Sequence, residues 1–194
     1  MSALGRSTQR LVALGLVLWL AGCTPDPSPS TSTPSPNGST PSSPPSSSPS
    51  PTATDAAAQV QLAIAAYRGM WDAYLRVLQN PNPDSPDLAT YASGDAFNTL
   101  VKGVRELRDK GLKGEGSFVM DPRPTEIAPA SDPKKVSVRD CFNDGGARVV
   151  RATPGPAYSD KPGGRRLCLA TVERQGDGSW KVTSFGLREV GTCT

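Results

Sequence analysis

Apolar and polar residues alternate along this chain in three successive styles, and each style predicts a different kind of structure. From Leu11 to Leu20 the run is almost purely apolar; from Thr24 to Thr54 it is almost purely Pro, Ser and Thr; from Asp55 onward it becomes periodic. In the periodic part, Val60, Ile64, Tyr67, Trp71, Tyr74, Leu75 and Leu78 recur at spacings of three, four and seven, which is one stripe of a long amphipathic helix. Thr54 is placed to cap that helix and Asn80-Pro81-Asn82-Pro83 to end it. Ser85-Pro86-Asp87 opens a turn or two of helix through Tyr91, with proline at the first helical position. Ser93-Gly94-Asp95 opens a third helix, with Phe97, Leu100, Val101, Val104 and Leu107 on one side and Gly111 as its stop.

After Gly116 the period shortens and strands are predicted: Ser117 to Asp121, Thr125 to Ala130, Lys134 to Phe142, Ala147 to Ala152, Arg165 to Arg174 and Ser179 to Arg188. Asn143-Asp144-Gly145-Gly146 and Gln175-Gly176-Asp177-Gly178 read as hairpin loops, which would make the strands on either side of each antiparallel neighbours. A Pro- and Gly-rich loop from Thr153 to Gly164 is long enough for a lid, although most such loops are plain surface connections. The strand Arg165 to Arg174 is apolar on both faces, with Leu167, Leu169 and Thr171 on one and Cys168, Ala170 and Val172 on the other. That pattern asks for a cover over the second face, either the long loop or a second copy of the domain.

The N-terminal styles assign an address. Arg6 and Arg10 precede the apolar run, and small residues follow it before Cys23, the three parts of an export signal. About ten apolar residues are too few to span a bilayer core, which takes roughly 20. Leu20-Ala21-Gly22-Cys23 resembles the bacterial lipobox, which implies a diacylglycerol on the Cys23 sulfur and cleavage before that residue. Each buried methylene of such an anchor contributes about 0.8 kcal/mol, so two or more acyl chains hold a protein stably at the outer face of the cytoplasmic membrane. The organisation expected is therefore a lipoprotein signal peptide at 1–22, the lipidated Cys23 with a disordered stalk through residue 54, and one folded domain over 55–194. Stretched as polyproline at about 3.1 Å per residue, the stalk reaches roughly 95 Å. Its composition gives it nothing from which to build a core.

Composition then narrows the chemistry. The chain has no histidine, which removes the usual general base near neutral pH, every Ser-His and Cys-His nucleophile pair, and the commonest zinc ligand. There is no C-x-x-C pair, so neither a metal nor another cofactor is expected. The formal charge of +3 falls toward neutrality once Arg6 and Arg10 leave, and no dense basic patch invites nucleic acid. Outside the cytoplasm Cys141, Cys168 and Cys193 should form one disulfide and leave one thiol. Three pairings are open; Cys141 with Cys193 is favoured because one ends a strand and the other lies near the terminus. That pairing would close a loop of about 50 residues and contribute about 2 to 4 kcal/mol in the chain-entropy model.

Helices followed by antiparallel strands define an α+β domain with two or three N-terminal helices packed on a curved sheet. That order, an aromatic-rich first helix and a last hairpin carrying Gly178-Ser179-Trp180-Lys181-Val182 resemble the cone-shaped nuclear transport factor two-like superfamily. The whole chain resembles secreted lipoproteins of high-GC Gram-positive bacteria that carry such a domain on a stalk. In these an Asp-Cys strand end, here Asp140-Cys141, pairs with a C-terminal cysteine, here Cys193. The resemblance implies a pocket between the first helix and the sheet, lined by Tyr67, Trp71, Tyr74 and Asp140, although aromatics at helical spacing more often fill a core. The superfamily hosts isomerases, dehydratases, ligand carriers and non-catalytic modules, so three functions stand open. The first is a non-catalytic module that binds a partner protein or itself. The second is a carrier of a small apolar ligand. The third is an acid/base enzyme using Asp140 with Tyr67 or Tyr74; the superfamily's dehydratases rely on a histidine this chain lacks.

Overall fold

In a computed structural model of the chain, the described residues are 53–156 and 158–193. The export signal, Cys23 and nearly all of the stalk lie outside them. Three helices come first: α1 (Ala53–Gln79), α2 (Asp87–Tyr91) and α3 (Gly94–Asp109). Six strands follow: β1 (Leu112–Gly116), β2 (Arg123–Ala128), β3 (Lys135–Asn143), β4 (Ala147–Arg151), β5 (Arg165–Arg174) and β6 (Trp180–Leu187). The result is α+β, with the helices packed on antiparallel sheets. Among the described residues no helix is long and apolar enough to cross a membrane.

α1 buries more than the narrow stripe its pattern predicts. Ala63, Ala66, Met70, Ala73 and Val77 are buried beside Val60, Tyr67, Trp71 and Leu78, because sheet and helices close on the helix from several sides. α3 buries Ala96, Leu100 and Val104 and turns Lys102 and Glu106 outward, 3.9 Å apart. Ser93 holds the cap position of α3, yet its side chain caps nothing; its N–H donates instead to Val182 O at 3.0 Å and fixes the start of the helix against β6. Gly111 ends the turn beyond α3 at φ +64°, as a stop in left-handed backbone requires.

The strands form two sheets. β2, β3, β5 and β6 make a four-stranded antiparallel sheet in that order, and β1 and β4 pair separately. Of the two hairpin loops, Gln175 to Gly178 joins the paired strands β5 and β6. The other, Asn143 to Gly146, does not make neighbours of β3 and β4. β3 is flanked by β2 and β5, and the turn sends the chain out to the second sheet. The first strand also differs from expectation. It is Leu112–Gly116, while the predicted strand at Ser117 to Asp121 is reduced to a single bridge, Val119 to Asn143. Leu112-Lys113-Gly114-Glu115-Gly116 has none of the residues that favour strands; the tertiary approach of Gly114 to Leu78 of α1 holds it there.

Along β3 the alternation is strict: Val136, Val138, Asp140 and Phe142 face the helices and are buried. Their partners on β5 are Val172, Ala170, Cys168 and Arg166. The other face of β5 is the one that asked for a cover. Leu169 remains 43% exposed, and its surroundings there include Thr125, Ser137, Thr171 and Ser184. The Thr153 to Gly164 loop does not lie on it; that loop runs beside β4.

Candidate functional site

The four residues named for a pocket fall into two places. Tyr67 and Asp140 meet in the interior: the Tyr67 hydroxyl donates to Asp140 Oδ2 at 2.9 Å, and the Asp121 N–H donates to Oδ1 at 2.7 Å. Asp140 is only 1% exposed, and each of its oxygens accepts one of these bonds. Burial raises its pKa, against the opposing pull of the Asp121 N–H and the Tyr67 hydroxyl. Burial likewise pushes the Tyr67 phenol up and the neighbouring Cys168 thiol to about 11. Among the described residues Cys168 is the free cysteine, fully buried on β5 opposite Asp140. Each of these groups is held in its neutral form or by hydrogen bonds already made, and solvent reaches none of them.

Trp71 stands beside Tyr67 at the centre of an aromatic cluster. Its ring packs on Phe142 with centroids 4.4 Å apart, on Phe185 at 5.0 Å and on Phe118 at 6.0 Å, with Tyr74 and Tyr67 at 6.2 and 6.3 Å. The indole is 2% exposed. On its outer side Trp71 and Tyr74 border a groove of about 290 Å³ with Leu100, Gly103, Phe185 and Leu187. The Tyr74 hydroxyl lies so close to Gly103 that any side chain there would collide with it. Its burial raises that hydroxyl's pKa to about 12.

A larger cleft, of about 390 Å³, opens on the other side of Phe118. Leu75 and Leu78 of α1 form one wall, Ala147 to Val149 of β4 another, and Arg166 of β5 and Val190 of the C-terminal tail a third. The end of the long loop, Asp160 to Gly163, completes the rim. Two carboxylates tack this loop down. Asp160 accepts from the Val149 N–H at 2.5 Å, and Asp144 accepts from the Gly164 N–H at 2.7 Å and from Arg166 Nη2 at 3.2 Å. Gly163 and Gly164 are needed where they are, since a Cβ on the first would run into Asp144 and one on the second would stand 2.6 Å from Val190. Arg166 Nε is buried without a partner.

The tail owes its position to a disulfide. Cys141 and Cys193 are joined with their Cα atoms 5.6 Å apart, and the tail also donates from Arg188 to Leu167 O and from Gly191 to Arg165 O. The pairing holds Val190 against the cleft. Sequence reasoning named the loop as a candidate lid, and it named none of Val149, Asp160, Arg166 and Val190 as site residues. The signal available for them was the Pro- and Gly-rich composition of the loop itself. Among the described residues no group of three or more Asp, Glu or Cys side chains could hold a metal ion.

No model of a known protein family matches the chain, and no curated protein matches it. Solved structures do resemble it in part. A ketosteroid isomerase-like protein from Erwinia carotovora atroseptica is 14% identical, over 66% of this chain and 92% of that one, with a TM-score of 0.43. A putative dehydratase of the NTF2-like family from Streptomyces avermitilis is 11% identical, over 69% of this chain and 98% of that one, with a TM-score of 0.42. The intermembrane space region of the chloroplast protein ARC6 is 12% identical, over 64% and 95%, with a TM-score of 0.43. Likeness at this level assigns no activity to this chain.

Proposed function

We propose that this chain is an extracytoplasmic lipoprotein, anchored through Cys23 at the outer face of the membrane, whose cone-like α+β domain is a non-catalytic module that binds a segment of a partner protein in the cleft between α1 and β4. The single observation behind this reading is the contrast in access. The one buried acid among the described residues, Asp140, has both oxygens engaged in hydrogen bonds, whereas the cleft is open, walled by Leu75, Leu78, Phe118 and Val190, and rimmed by charged side chains. An acid/base enzyme needs its carboxylate within reach of substrate. A recognition cleft needs an apolar floor with a few placed polar groups. The ligand-carrier alternative wants an open space inside the cone, and Trp71 with Phe118, Phe142 and Phe185 fills that space.

The test is made on the full chain in a bacterium that processes lipoproteins. The intact mass of the membrane-extracted protein should begin at Cys23 and carry diacylglycerol, and Cys23→Ser should release the protein from the membrane. A photoreactive residue replacing Lys161 at the cleft rim should give discrete protein adducts, which the same residue at the exposed position Lys102 should not. A native mass carrying a small molecule that is lost on denaturation, with no adduct from the cleft, would overturn the partner reading in favour of the carrier.

A further inference from the structure

The cleft already contains a stand-in for its occupant. Among the described residues β4 has one strand neighbour, β1, and the Val149 N–H donates to the side-chain carboxylate of Asp160 on the loop. The charges lining the cleft are otherwise matched. Glu115 sits 3.1 Å from Lys113 and 3.0 Å from Arg148, and Asp144 sits 3.2 Å from Arg166. Asp160 is bound by backbone N–H groups, those of Val149 and of Lys161, and among the described residues Lys161 forms no ion pair. If the loop swings out, it carries Asp160 and Lys161 away and leaves the Val149 N–H unpaired beside an apolar floor. The group that satisfies it in the closed form is a carboxylate, and a ligand that takes its place must deliver one on something apolar.

We infer that the partner segment is an acidic peptide, whose carboxylate replaces that of Asp160 on the Val149 N–H while a neighbouring apolar side chain enters the space between Leu75, Leu78, Phe118 and Val190. This rests on the partner reading above and adds to it the chemistry of the partner and the competitor it displaces. The carboxylate is an Asp or Glu side chain or a C-terminus; both present the same oxygens to the same donor. Asp160 then acts as an internal competitor, and binding is weakened by the fraction of time the loop is closed.

A library of displayed random heptapeptides, selected on the immobilised full chain and on its Asp160→Ala form, tests this. Asp160→Ala should bind the selected peptides roughly tenfold more tightly than the parent, as removal of a competitor that is closed about nine-tenths of the time requires. Asp160→Asn, which keeps an acceptor for Val149 without the charge, should fall between the two. The selected peptides should carry Asp or Glu beside Leu, Phe or Val, or end in a free carboxylate whose amidation abolishes binding. Amide exchange at Val149 should be faster in free Asp160→Ala and slow again on binding, with the β3 and β5 amides unchanged as the sign that the fold is intact. Peptides without a carboxylate, unchanged or weaker binding to Asp160→Ala, or protection around Leu169 instead of Val149 would overturn the inference while adducts from the Lys161 position still supported the partner reading. No selected peptide on either form together with no such adduct would remove both.

Discussion

The two sides of Phe118 use polar groups in opposite ways. On the inner side, Asp140, Tyr67 and the Asp121 N–H satisfy one another, and both oxygens of the carboxylate are taken. On the outer side, the loop is fastened by carboxylates on backbone N–H groups, bonds that a ligand's own carboxylate can exchange one for one. An acid in a cone is therefore no sign of catalysis by itself. What separates a structural carboxylate from a functional one is whether its partners are permanent parts of the core or belong to a segment that can leave.

The contrast is broken most forcefully at Trp71. Trp71→Ala should destabilise the full chain by about 3 to 5 kcal/mol in denaturant unfolding, since the ring is the common contact of five other aromatic side chains and leaves a cavity behind. A loss below about 1 kcal/mol would mean that Trp71 is a movable gate and the inner side a site. Next in size is the disulfide. Cys141→Ser with Cys193→Ser should cost about 2 to 4 kcal/mol for a bridge spanning 52 residues. The same change frees Val190, so it should also weaken whatever the cleft holds; an effect on stability with none on cleft adducts would detach the tail from the site.

Asp140→Ala leaves the Tyr67 hydroxyl buried without the acceptor it now has, an expected loss of about 2 kcal/mol. Asp140→Asn gives the pH test. The folded pKa of Asp140 lies above the ordinary value of 3.8, so its stabilising contribution is complete below that value and is lost as pH rises through the folded pKa. Unfolding free energy of the parent relative to Asp140→Asn should therefore increase as pH is lowered toward 4. The reverse slope would show that the carboxylate is better stabilised inside the protein than in water.

This division of labour was only half legible in the sequence. α1 declared itself by its stripe and its Asn-Pro stop, β3 by strict alternation, and the β5–β6 pair by Gln175-Gly176-Asp177-Gly178, because each of these signals is local. β1 carries two glycines, a lysine and a glutamate, and exists because α1 and β4 flank it; no local pattern reports that. Asn143 to Gly146 announces a turn but not which sheet the next strand joins. Asp140 could be singled out as an acid within an apolar alternation, and Tyr67 as a neighbour across the cone. Asp160, Val149, Arg166 and Val190 come from four segments, and only the path of the loop, pinned by Asp144, and that of the tail, held by the disulfide, bring them together.

The smallest effect on stability is expected at Arg166, and it sharpens the comparison most. Its guanidinium is matched by Asp144 on one side, yet its buried Nε–H has no acceptor, so part of the desolvation cost of this residue is not recovered. Replacing Arg166 with Met keeps the apolar stem and removes the unsatisfied donor. It leaves Asp144 its bond from the Gly164 N–H in a setting that is not fully buried. Those two changes oppose each other, and the net should lie within about 1 kcal/mol of zero, as replacement of charged groups by apolar ones of similar volume often does. Asp144 then keeps its bond to the Gly164 N–H but is no longer held by the guanidinium, while the Asp160 end of the loop is unchanged. Amide exchange at Gly164 should accelerate and that at Val149 should not. If both accelerate together, the loop moves as one body and Asp160 has no independent role; if only Gly164 responds, the Asp160 latch opens by itself, as competition with an incoming carboxylate requires.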